Sequence, residues 1–92
     1  MDLRGKQVLV IGAGMSGMAA CRYLQKKDCK VLLADNKSRK LLLKNKAIAA
    51  FVRQGGELLS DNRIPEQITW DLAVVSPGVP LHIPLLNMTR AE

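Results

Sequence analysis

The first ordered pattern in the chain is Lys6 to Ile11 (KQVLVI), a β-branched-rich apolar run that stops at Gly12. Such a run predicts a strand buried on both faces, as in a parallel sheet. Beyond the glycines, Gly17, Ala20, Cys21 and Leu24 recur at i, i+3, i+4, i+7, the stripe of a helix packed on one side. That helix should end near Lys26-Lys27-Asp28, where lysines suit the negative end of its dipole. Lys30 to Ala34 (KVLLA) reads as a second strand, closed by Asp35-Asn36 and followed by a basic loop. Leu41, Ile48, Phe51 and Val52 fall on one helical face, and Gly55-Gly56 supplies the stop. Glu57-Leu58-Leu59 is a short third strand. Asp61 to Thr69 is polar with one proline, a loop with a single helical turn. Asp71 to Val75 (DLAVV) is a fourth strand ending at Ser76-Pro77-Gly78-Val79-Pro80, and Pro84 opens a last helix.

This succession predicts an α/β domain over residues 1–92, with a parallel sheet of about four strands in the order 3-2-1-4 and right-handed crossovers. The chain stops at Arg90-Ala91-Glu92, inside or just after a helix, where a parallel sheet normally gains another strand. The expectation is a domain cut from a longer protein, lacking a final strand, with an uncovered edge on the fourth.

Composition narrows the class. A content of 48% hydrophobic and 24% charged residues is that of a folded globular chain. No apolar stretch is long enough to span a membrane, and the first apolar run is too short for a secretion signal, so a cytoplasmic protein is expected. Cys21 and Cys29 form no CxxC and His82 is the only histidine, which points to two reduced cysteines and no metal site. The net charge of +6 is confined to one segment: Lys26 to Lys46 holds eight basic residues against two acids, and the remainder carries six of each sign. That segment suits either a patch for a polyanion or a solvated surface. No aromatic side chain interleaves it to stack on bases, which argues against nucleic acid.

The chemistry concentrates in Gly12-Ala13-Gly14-Met15-Ser16-Gly17, a GxGxxG loop between a strand and a helix, with Asp35 eighteen residues beyond Gly17. Gly12 permits the tight turn, Gly14 lets the backbone approach a phosphate, and Gly17 allows the helix to lie close to the strand. The amides of Met15 and Ser16 face an anion at the positive end of the helix dipole. Asp35, at the carboxyl end of the second strand, is placed to accept hydrogen bonds from a ligand, with Lys37 and Arg39 just beyond. The glycines also fit a packing turn that binds nothing. They are not a P-loop, because Met18-Ala19 stand where Lys and Ser/Thr are required to hold phosphates and magnesium. In a 3-2-1-4 sheet the loop Ser76-Pro77-Gly78 faces the glycine loop across the switch point and suits a ligand clamp. Trp70 reads as packing and His82 as a loop residue. Nothing resembles a catalytic triad, a carboxylate pair or a metal cluster.

The set VLVIGAGMSGMAA, VLLADN and DLAVVSPGVP resembles the N-terminal domain of the Mur ligases over nearly the whole chain, and SPGVP favours their D-glutamate-adding branch. The resemblance implies a Rossmann-like, three-layer domain that holds a uridine diphosphate sugar, UDP-N-acetylmuramoyl-L-alanine, in cytoplasmic peptidoglycan precursor synthesis. By position, Gly14, Met15 and Ser16 would contact the diphosphate or its surroundings. Asp35 and Asn36 would hold the uracil, Lys37 would stand where relatives carry arginine, and Ser76, Pro77 and Gly78 would close over the ligand. It also implies that ATP and Mg2+ bind a central domain outside this segment, that D-glutamate enters through a third domain, and that this segment alone has no catalytic residue, cofactor or metal. Three readings remain beside it: the nucleotide-binding segment of an NAD(P)-linked oxidoreductase, an L-alanine-adding relative, and a small regulatory or interaction domain using residues 26–46 for a polyanion.

Overall fold

The computed structural model describes residues 2–76. The elements run β1 (Gln7–Ile11), α1 (Met15–Gln25), β2 (Lys30–Ala34), α2 (Arg39–Leu42), α3 (Lys46–Arg53), β3 (Glu57–Leu59) and β4 (Leu72–Val75). The four strands form one parallel sheet in the order β3-β2-β1-β4. The α/β class, the parallel pairing and the strand order expected from the hydrophobic pattern are therefore all present. The helix expected from Pro84, the loop beyond Ser76 and His82 lie outside the described residues.

Strand polarity follows from burial. Val8, Leu9 and Val10 of β1 are fully buried, as are Leu32 and Leu33 of β2. Central strands covered on both faces have no solvent side to alternate with, which is why these sequences read as continuous apolar runs. Alternate residues still go to opposite faces. Val8, Val10, Val31, Leu33 and Leu58 pack with Met18, Cys21 and Leu24 of α1 and with Ile48 and Phe51 of α3. Leu9, Ile11, Leu32, Ala34 and Leu59 form the other face, against Ile64, Ile68 and Trp70. Each fully buried aliphatic side chain contributes about 1.5–3 kcal/mol, so these two clusters hold the sheet. Trp70 is thus a packing residue, as its sequence setting suggested.

Two local expectations fail. Leu41, Ile48, Phe51 and Val52 were expected on one continuous helix. The segment instead forms two helices, because Ser38 caps α2 and the Asn45 side chain accepts from the amides of Ala47 (2.8 Å) and Ile48 (3.3 Å) to start α3. The new start resets the helical phase. Leu42 enters the core, whereas Leu41 is 49% exposed. The basic stretch after Asn36, expected as a loop, is therefore partly helical. Between Asp61 and Thr69 there is no helical turn but two tight turns, closed by Arg63 N–H to Ser60 (3.0 Å) and Ile68 N–H to Pro65 (3.0 Å). Asp61 and Asn62 both take positive φ, which Asp and Asn tolerate better than other side chains.

Gly56 lies under the Phe51 ring, which fills the space a Cβ there would need. Gly55, at φ +100, turns the chain out of α3. The glycine pair thus ends the helix through one residue that permits the turn and one that permits the packing. Among the described residues, β4 pairs only with β1 and leaves its other edge without a strand.

Candidate functional site

All the strands point their carboxyl ends the same way, so the loops after β1 and β2 meet at one rim of the sheet. Gly12, at φ +100, turns the chain out of β1, and its amide donates to the Ala34 carbonyl at 2.8 Å. Gly14 then serves as the N-cap of α1 without a side chain to cap it, and the first turn holds no acid. The α1 amides at this end are left for other partners, in the helix-dipole setting that favours an anion. Met15 is 92% exposed beside them, and Ser16 is exposed as well.

Asp35 is buried, and both of its carboxylate oxygens are engaged. Oδ2 accepts from the Ala13 amide at 2.9 Å, and Oδ1 accepts from the Lys37 amide at 2.9 Å. The Lys37 ammonium stands 4.0 Å from Oδ1. The backbone around Asp35 is also fixed from the third strand's side: its amide donates to Leu59 (3.0 Å), its carbonyl accepts from Asn62 (3.1 Å), and the Lys37 carbonyl accepts from Asp61 (3.0 Å). One side chain therefore ties the glycine loop to the β2–α2 loop. A carboxylate offers about four lone-pair positions, so two amides leave it capacity for a ligand N–H.

The sequence-predicted residues come together in part. Gly14, Asp35 and Lys37 line one open cavity of about 190 Å³ together with Leu41, Leu42 and Asn45. Gly14 and Met15 line an adjoining one of about 360 Å³, whose wall includes Arg22 and Asn45. Ser16 and Asn36 are exposed but line neither. Ser76 is buried; its amide extends the β1–β4 ladder by donating to Ile11 at 2.9 Å, and it sits behind Gly17. Pro77 and Gly78 lie outside the described residues. Sequence reading missed Leu41, Leu42 and Asn45. The available signal was Asn45 itself, a helix-capping residue just before an apolar run.

The basic segment does not form one patch. Lys26, Lys27 and Lys30 lie at the amino end of β2, whereas Lys37, Arg39, Lys40, Lys44 and Lys46 follow its carboxyl end. A five-residue strand holds the two groups about 16 Å apart. Among the described residues no helix is long and apolar enough to cross a membrane.

The Mur ligase MurD-like N-terminal domain model matches residues 6–92. This chain belongs to that family. UDP-N-acetylmuramoylalanine–D-glutamate ligase of Koribacter versatilis is 38% identical over 98 residues, an alignment covering 100% of this chain and 20% of that protein. The ligase of the same name from Acidobacterium capsulatum is 40% identical over 93 residues, covering 98% of this chain and 19% of the relative. The chain thus spans about a fifth of the length of these relatives. A solved structure of SirC, a precorrin-2 dehydrogenase, superposes with a TM-score of 0.54 at 20% identity, over 83% of this chain and 36% of that one. That likeness shows the Rossmann-like fold alone. Membership of the MurD-like family leaves the oxidoreductase reading the weaker of the two.

Proposed function

We propose that this chain is the substrate-nucleotide domain of a cytoplasmic D-glutamate-adding ligase, anchoring the uridine diphosphate of UDP-N-acetylmuramoyl-L-alanine. The observation that carries this reading is the join between the uncapped start of α1 and Asp35 through the Ala13 amide. The backbone amides of Gly14, Met15 and Ser16 at the start of α1 suit the diphosphate, whose charge meets the helix dipole. Asp35, Asn36 and Lys37 lie at the next strand end for the uracil, and Ser76, which follows β4, is taken with Pro77 and Gly78 as the segment that closes over the ligand. MurD-like membership and relatives named for D-glutamate ligation supply the substrate class.

The residues present do not fit ATP with magnesium. Met18, which follows Gly17 where a P-loop places lysine, is buried in the α1 face of the core. No group of metal-ligating side chains occurs among the described residues. ATP, Mg2+ and D-glutamate are assigned to the remainder of a longer protein, which takes residues 1–92 as its N-terminal domain. This domain's contribution to the reaction is binding energy and orientation: holding the nucleotide fixes where the L-alanine carboxylate is presented. Titration of the chain with UDP, UDP-N-acetylmuramoyl-L-alanine, NADH and NADPH, followed by amide shifts, tests the reading. Shifts at Met15, Ser16, Asp35 and Asn36 with the uridine ligands and none with the nicotinamides are expected. The reverse pattern would promote the oxidoreductase.

A further inference from the structure

Leu41 is an apolar side chain without a core role. Its neighbour Leu42 is 4% exposed and packs under the sheet, whereas Leu41 is 49% exposed in a stretch otherwise rich in lysine and arginine. The phase break at Asn45 leaves it there, because a continuous helix would have carried it onto the face of Ile48 and Phe51. It is not scattered on open surface. It lines the cavity that Gly14, Asp35 and Lys37 also line. That cavity has a hydrogen-bonding edge at Asp35 and Lys37 and an apolar wall at Leu41, Leu42 and Ile48.

A planar ring with polar edges and an apolar face fits such a setting better than a sugar or a free phosphate, neither of which would cover the apolar wall. We infer that Leu41 is the residue against which the face of the pyrimidine base packs when a uridine diphosphate ligand is bound, a specificity contact beyond the hydrogen-bonding set. The inference rests on the proposed nucleotide site and places the base in the Leu41–Asp35 cavity rather than in the adjoining one beside Arg22.

The test is a UDP titration of the chain and of Leu41→Ala and Leu41→Met variants, with transfer of magnetisation measured between uracil ring protons and the Leu41 methyl groups. Half-burial of a leucine side chain predicts that Leu41→Ala weakens UDP about 3- to 12-fold, with Leu41→Met close to the parent. The Leu41 methyls should show direct contacts to the ring protons. This last readout uses the unaltered chain, so it stands even if Leu41→Ala fails to fold. UDP binding with no such contacts, with equal affinity in Leu41→Ala, or with a loss that methionine does not restore overturns the inference and leaves the nucleotide site standing. Absence of UDP binding by the unaltered chain overturns both.

Discussion

The carbonyl oxygen of Gly12 occupies the place where a side chain on Gly17 would begin. Helix α1 reaches its working position because that carbonyl and the α1 backbone are in direct contact. Gly17→Ala forces them apart, and overpacking of this kind costs typically about 1–3 kcal/mol, here set against backbone that cannot rotate away. Gly14 differs. A Cβ there meets nothing within 4 Å, and its φ of −74 is open to any residue. Gly14→Ala should leave the denaturant midpoint nearly unchanged while weakening UDP binding, because the methyl group stands where the backbone must approach a phosphate. Urea unfolding and UDP titration of both variants separate the two roles.

Asp35 carries a structural duty alongside its proposed ligand contact. In Asp35→Asn one of the two converging amides, Ala13 or Lys37, must face an NH2 group instead of an oxygen. An unmade buried hydrogen bond costs about 1–3 kcal/mol, and the loss should appear in urea unfolding without ligand. Amide exchange at Ala13 and Lys37 should quicken together. Asp35→Ala should in addition weaken UDP by about 1–3 kcal/mol, the cost typical of a lost charged hydrogen bond. Unchanged UDP affinity would remove Asp35 from the ligand site.

The elements that the hydrophobic pattern located correctly are those fixed by one physical cause. β1 and β2 are buried on both faces and read as unbroken apolar runs, and the glycines between β1 and α1 supply the positive φ and the close approach that this turn requires. The α2–α3 region was misread because two causes compete there. Leu41, Ile48 and Phe51 keep a helical spacing, yet the Asn45 side chain captures the Ala47 and Ile48 amides and restarts the helix. The spacing of apolar residues does not register a cap inside the run. The place of Asp35 at the carboxyl end of β2, beside the glycine loop, was legible from its distance to Gly17. Its use of both oxygens on backbone amides was not, since that depends on how closely two loops approach.

Asn45 can be tested as the cause of that break. Loss of an N-cap side chain costs typically about 1 kcal/mol, so Asn45→Ala should lower stability by that amount, and Asn45→Asp should retain it. If the cap also sets the phase of α2, the alanine variant should broaden or shift the Leu41 and Leu42 methyl signals more than those of Leu9 and Leu32. Equal shifts throughout would mean that tertiary packing, not the cap, separates the helices.

Cys21 predicts how the domain responds to alkali. Its thiol is buried between α1 and the sheet, and burial pushes its pKa from the ordinary 9.0 up to about 12. The folded state therefore resists ionisation that the unfolded chain accepts. The stabilisation from keeping Cys21 neutral is fully present below pH 9 and is lost as pH rises from 9 towards 12. Over that interval a single thiol steepens the fall in unfolding free energy by up to about 1.4 kcal/mol per pH unit. Every other contribution to the pH dependence is common to the parent and a Cys21→Ala variant. The difference between the two urea-unfolding curves isolates the thiol: the parent should start more stable at pH 8 and converge on the variant by pH 11. Parallel curves would show that Cys21 ionises equally well folded and unfolded. Cys29 provides an internal contrast. It is only half-buried, and its Sγ lies 3.0 Å from the Leu24 carbonyl at the end of α1. A thiol reagent at pH 8 should modify Cys29 in the native chain and reach Cys21 only at the rate of unfolding.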